Sequence, residues 1–151
     1  TTSPSRCTRA VREASTSVGR EFALARAYLE VLQVRMGPRL EFAIDLPPGL
    51  ADRPLPPMML ISLVENAIKH GLEPVENGGR IELSAREARG ELHIQVANTG
   101  AALDPAAKGG TGLLNIRERL LALYGSRARL VMEELRPQGV IARIELPAGG
   151  D

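Results

Sequence analysis

Between positions 62 and 70 the chain gathers a hydroxyl, a carboxylate, an amide, an amine and an imidazole on Ser62, Glu65, Asn66, Lys69 and His70. Leu60, Leu63, Val64, Ala67 and Ile68 recur among them at helical spacing, so residues 57–70 read as a helix, with Gly71 as its C-terminal cap. At about 100° per residue, Ser62, Glu65, Asn66 and Lys69 fall in one arc of roughly 100°, opposite the apolar set. Amide and carboxylate oxygens are hard ligands suited to Mg²⁺, and a lysine one turn away is placed to meet phosphate. Glu65 and Lys69, four apart in the favourable order, also suit a solvated ion pair, and this segment alone does not choose.

Two other segments could meet an anion or a base. Lys108-Gly109-Gly110-Thr111-Gly112 runs into a predicted helix over 113–124, where glycines let backbone N–H groups approach an anion at a helix N-terminus. It is neither of the familiar phosphate loops. No Gly-Lys-Ser/Thr triplet follows, and Asn115 stands where the dinucleotide pattern needs its last glycine. Val96-Ala97-Asn98-Thr99-Gly100 ends a predicted strand, where the Asn98 amide could read a base edge or simply form a turn.

The elements that must hold these residues follow from periodicity. Residues 5–36 read as helix with a weak point at Gly19. Val11, Val18, Ala25 and Leu32 repeat every seven, with Phe22, Leu29 and Met36 interleaved. Such a seam suits coiled-coil packing on another helix, or covering its own domain. Gly37-Pro38 stops the helix, and Leu40, Phe42, Ile44 and Leu46 alternate as a half-buried strand does. Residues 81–85 and 92–96 form a hairpin turning near Gly90, and 130–135 and 140–146 another around Pro137-Gln138-Gly139. Leu113, Ile116, Leu120 and Leu123 make the buried stripe of the third helix. Hairpins dominate over βαβ units, which predicts an α+β fold: a two-layer sandwich whose mostly antiparallel sheet carries its helices on one face.

Composition narrows the function. The chain has 151 residues, enough for one domain with a substantial core, and 44% of them are apolar. Nineteen basic residues against eighteen acidic ones give a net charge of +1, so nucleic acid is not expected as a partner. Cys7 is the single cysteine, which excludes an internal disulfide and any zinc site with paired cysteines. A cytoplasmic setting is expected, with the parent protein able to sit in the inner membrane.

Taken in order, these segments resemble one family. Leu63-Val64-Glu65-Asn66-Ala67-Ile68-Lys69-His70-Gly71 resembles the N box of the GHKL nucleotide-binding fold, which gyrase, Hsp90, MutL and histidine kinases share. Asn98-Thr99-Gly100 sits where the family's Asp-x-Gly motif sits. Gly110-Thr111-Gly112-Leu113-Leu114-Asn115-Ile116-Arg117-Glu118-Arg119-Leu120 resembles the second glycine box of LytS-like sensor kinases, and Tyr28-Leu29-Glu30 through Arg39-Leu40 resembles the linker ahead of their catalytic domain. The likeness covers residues 22–147.

The resemblance implies a kinase that moves the γ-phosphoryl of ATP to a histidine. Asn66 would bind Mg²⁺ and Lys69 the phosphates, with Glu65 on the same catalytic face. Gly110, Thr111, Gly112 and Leu113 would line the phosphate loop, residues 100–109 would form a mobile lid starting at Gly100, Asn98 would face the adenine amine, and His70 would lie near the ribose and phosphates. The partners implied are the dimerisation and phosphoacceptor segment of the same kinase, in a homodimeric parent, and a response regulator. On this reading residues 1–36 are a helical linker and residues 37–151 the ATP-binding catalytic domain. No Pro-His-Phe-x-x-Asn acceptor motif occurs in the chain, and His93, on a strand and pointing away from the core, reads as a surface residue.

The sequence departs from the family at four places. Asn98 replaces an aspartate, Ala102 a glycine, Val140 a threonine, and Ser62 the water-activating glutamate of hydrolytic relatives. The last favours a kinase over a GHKL ATPase. The others leave open a degenerate module with weak or no nucleotide binding that serves as an interaction domain, and an anti-sigma-factor serine kinase is the rival on the same fold. Asparagine at position 98 is a neutral acceptor where the family has a stronger, charged one, and it adds two donors that an adenine amine cannot satisfy. This predicts loosened base recognition and tighter ATP binding on Asn98→Asp.

Overall fold

A computed structural model describes residues 16–101 and 110–147, with side chains from Leu113 onward in the second stretch. The expectations for Cys7, Val11, Ala102 and most of the lid lie outside it.

The first helix, α1 (Val18–Met36), begins at Ser17, whose hydroxyl accepts the Arg20 N–H at 3.1 Å. Its first two N–H groups donate to Arg53 and Ala51 carbonyls, both at 2.8 Å. Gly19 is therefore no weak point: it allows this approach, since a β-carbon there would meet the Ala51 β-carbon and carbonyl at 3.2 Å. A short ribbon precedes the helix, β1 (Thr16–Ser17) pairing antiparallel with β3 (Pro54–Leu55).

The described part of the heptad seam covers its own domain, packing on α2 (Met59–Ala67) and the sheet. Val18, Phe22, Ala25, Leu29, Leu32 and Met36 are all buried in one core with residues from beyond position 37. Burying such side chains is worth about 1.5–3 kcal/mol each, which a domain lacking another cover cannot forgo. The described part of the expected linker thus belongs to the packing unit it was expected to precede. Its opposite face leaves Leu24, Val31 and Val34 exposed.

The sheet is mixed, in the order β2-β4-β5-β7-β6. β2 (Leu40–Asp45) pairs parallel with β4 (Gly79–Ala88), and β4 pairs antiparallel with β5 (Glu91–Thr99). β7 (Gly139–Pro147) joins β5 to β6 (Arg129–Glu134), antiparallel on both sides. Ile81, Leu83, Leu92, Ile94, Val96, Ile144 and Leu146 bury one sheet face beneath the helices, as the period-two pattern requires. The α+β two-layer sandwich stands, with one parallel pair.

The second helix, α2 (Met59–Ala67), runs into a π-helical turn, Ile68–Leu72. The third, α3 (Gly110–Tyr124), starts three residues earlier than expected, so Gly110, Thr111 and Gly112 lie in its first turn. α2 packs on β5 and against both α1 and α3. No described helix is long and apolar enough to cross a membrane.

Candidate functional site

The free face of α2 is as the spacing predicted: Glu65, Lys69 and His70 are exposed, and Ser62 and Asn66 are half-buried. The Ser62 hydroxyl donates to the Met58 carbonyl at 2.9 Å, one turn back in its own helix. It is neither free nor basic. Tyr28 of α1 is half-buried beside this face. Burial chiefly, then the Glu65 and Glu73 carboxylates, push its hydroxyl above the ordinary range against the pull of Arg35.

Gly71 does not cap the helix as expected. It lies inside the π-helical turn, and its carbonyl accepts the Ala101 N–H at 2.8 Å. The reason for glycine is Asn98: a β-carbon on residue 71 would overlap Asn98 Nδ2 and stand 2.9 Å from its Cγ. Gly100 has φ +114°, and a β-carbon on it would press into the Gly71 carbonyl. One on Gly139 would lie 3.1 Å from the Asn98 carbonyl carbon. Gly71 and Gly139 therefore close on Asn98, Gly100 closes on the Gly71 carbonyl, and the backbone after β5 is tied to the turn that ends α2.

Asn98 is buried on the helix side of the sheet, with Ile81 and Val140 as its cross-strand partners. Its Nδ2 donates to the Thr99 carbonyl at 2.9 Å. One donor expected to be unsatisfiable is thus engaged, and Oδ1 is the atom that can accept from a base. Val140 puts an apolar side chain next to that amide.

Of the glycine-box residues, Gly110, Thr111 and Gly112 offer first-turn backbone N–H groups, which no intrahelical carbonyl takes. Leu113 is different: its side chain is buried in the core, leaving only its backbone for a ligand.

Two features were missed by the sequence reading. Arg39 donates to the carbonyls of Glu76 at 2.9 Å, Val75 at 3.2 Å and Glu73 at 3.5 Å, clamping the loop that follows α2. An arginine after a Gly-Pro stop carries no local signal of this. The second is on the outer sheet face, where His93 is buried rather than exposed. Cross-strand pairing sets His93 beside Glu145 and Glu145 beside Arg129. His93 Nε2 lies 3.0 Å from Glu91, and Arg129 bridges Glu91 and Glu145. Arg143 Nε donates to Glu145 at 2.8 Å. Burial alone would raise the Glu145 pKa; the Arg143 hydrogen bond and the neighbouring Arg129 and His93 hold it below the ordinary carboxylate value. Glu91, His93 and Glu145 could in principle ligate a metal together. The two guanidinium groups already supply the positive charge there.

No protein-family model matches the chain. Among curated proteins it is 33% identical to the uncharacterized protein YwpD of Bacillus subtilis over 75% of its length. It is 27% identical to the sensor protein LytS of Enterococcus faecalis over 86%, and 31% identical to the sensor histidine kinase BtsS of Escherichia coli over 70%. In sequence the chain is similar to part of these sensor histidine kinases. It spans 44% of YwpD, 24% of LytS and 19% of BtsS. The catalytic domain of the histidine kinase ThkA superposes with a TM-score of 0.68 at 19% identity, covering 88% of this chain and 94% of that domain, so the fold is that of a histidine kinase catalytic domain. Full-length ShkA, solved in complex with AMPPNP, gives a TM-score of 0.61 at 23% identity, covering 91% of this chain and 33% of ShkA. ThkA has also been solved in complex with the response regulator TrrA; there the TM-score is 0.68 at 17% identity, over 90% of this chain and 42% of that one.

Proposed function

We propose that this sensor kinase domain binds Mg-ATP between α2 and α3 and delivers the γ-phosphoryl to a histidine on a phosphoacceptor segment. The observation that carries the reading is the seating of the buried Asn98 against Gly71 and Gly139, beside a helix whose free face presents Asn66 and Lys69. The Asn98 amide at the end of β5 suits the edge of a base, and the polar face of α2 beside it suits a charged chain of phosphates.

Asn98 Oδ1 would accept from the adenine amine. Lys69 would meet phosphate oxygens, and the first-turn amides of Gly110, Thr111 and Gly112 would hold others against the helix dipole. His70 would lie on the ribose side. The half-buried amide of Asn66 suits Mg²⁺, which when bound neutralises phosphate charge. Glu65, exposed on the same face, would orient the incoming imidazole. Ser62 supports transfer over hydrolysis, because its hydroxyl is donated to Met58 and cannot activate water.

On this reading the domain works on the cytoplasmic side of its parent, as a homodimer, and the phosphoryl group passes on to a response regulator, the partner type in the ThkA complex. A second reading, an interaction module that has lost nucleotide, is favoured by Asn98 and Val140 standing side by side. The reaction is tested with labelled ATP and Mg²⁺ on the parent protein that includes the acceptor segment. An acid-labile phosphohistidine upstream of this chain is expected, and its absence in parent that binds ATP would refute phosphoryl transfer.

A further inference from the structure

At an edge of the sheet, β6 has no strand partner on one side among the described residues, which leaves one row of its backbone N–H and C=O groups unpaired by them. Beside it α3 turns an apolar flank outward, with Leu121 67% and Leu114 55% exposed. Between them lies a groove of about 320 Å³, lined by Arg117, Leu120, Leu121, Ala128 and Leu130. An unpaired edge is matched only by another strand, so the occupant has to be extended.

We propose that the occupant is β6 of a second copy, joining two five-stranded sheets edge to edge about a two-fold axis perpendicular to them. A two-fold interface requires a strand complementary to itself, with residues that meet across the axis on the same sheet face. The sequence of β6 meets both conditions in one register centred on Val131. Arg129 then stands opposite Glu133 of the partner subunit, both on the outer face. Leu130 stands opposite Met132 of the partner subunit, both on the helix face, and Val131 meets its own copy. Arg129 and Glu133 are each about half exposed, at 52% and 50%. Each also pairs within its own chain, Arg129 with Glu91 and Glu145 and Glu133 with Arg143, so the contact across the axis would be shared with those pairs. The methionine opposite Leu130 would enter the groove, and both α3 helices would lie on one side of the joined sheet with their leucine flanks facing. Register centred on Met132 instead sets Val131 against Glu133 and Leu130 against Glu134, an apolar residue against a carboxylate each time.

Six residues of edge make a small contact, so the association is expected to be weak, with a dissociation constant of roughly 0.1–1 mM. Two copies held together elsewhere in a parent dimer would need no more.

Sedimentation equilibrium of this chain over a wide concentration range tests it. Reversible dimerisation is expected, weakened at least tenfold by Val131→Lys, which sets two ammonium groups face to face. Arg129→Glu and Glu133→Arg should each be monomeric alone, and their mixture should dimerise, because only the heterodimer pairs opposite charges at both positions. Circular dichroism checks that each variant is folded; Val131→Lys lies on the outer face and leaves the core untouched. A chain monomeric at millimolar concentration would overturn the proposal. So would a dimer indifferent to Val131→Lys but lost on Val31→Glu, which would place the contact on α1, or a mixture that stays monomeric.

Discussion

Gly71 and Asn98 occupy one space: the amide nitrogen of Asn98 fills the volume that any β-carbon at position 71 would need. The end of the α2 segment and the end of β5 are thereby held at a fixed separation, which is the separation between the phosphate-facing and base-facing parts of the proposed site. Gly71→Ala should force Asn98 aside. The expected cost is about 1–3 kcal/mol of stability, typical of overpacking, with a larger loss for ATP than for inorganic triphosphate. Urea melts and paired titrations with the two ligands check this.

Asn98→Asp should not tighten ATP. Its expected benefit combined a charged acceptor with the removal of two idle donors, but Nδ2 is not idle: it donates to the Thr99 carbonyl at 2.9 Å. A carboxylate oxygen there faces a carbonyl oxygen and has Val140 and Ile81 as apolar neighbours. The variant should lose about 1–2 kcal/mol of stability and bind ATP no better than the native chain. A tenfold gain in ATP affinity would show that the amide is not held this way.

Arg39→Met should loosen the loop after α2 without touching the core, since among the described residues the guanidinium serves the carbonyls of residues 73, 75 and 76. Faster amide exchange confined to residues 73–78 is the expected result, with a loss in melting stability of about 1–2 kcal/mol.

Acid stability should depend on Glu145. Its pKa is lowered in the folded chain, so its contribution is full above the unfolded value and is lost as pH falls through the folded one. Stability measured by urea between about pH 6 and pH 3 should fall less steeply in Glu145→Gln than in the native chain, from a lower starting value.

The polar face of α2 and the two hairpins were legible because each is a local pattern: one period in adjacent residues. What escaped reading was set by distant partners. The heptads of α1 have the same spacing whether they meet another helix or their own sheet, and only the position of β3 and α2 decides. His93 alternates as an outward residue should, yet Glu91, Glu145 and Arg129 from three strands cover it. Gly71 looks like any helix cap until Asn98, from β5, is placed against it.

The central claim is Mg-ATP binding on the face that Asn66 and Lys69 share, and isothermal titration with AMPPNP tests it most directly. The native chain should bind in the presence of Mg²⁺ and lose at least tenfold in affinity without it. Asn66→Ala should abolish that dependence on Mg²⁺. Lys69→Ala should weaken AMPPNP by about tenfold or more, as loss of a charge-assisted contact implies, and leave adenosine unchanged. Heat absent up to millimolar nucleotide, or binding that ignores Mg²⁺, Asn66→Ala and Lys69→Ala alike, would contradict the account.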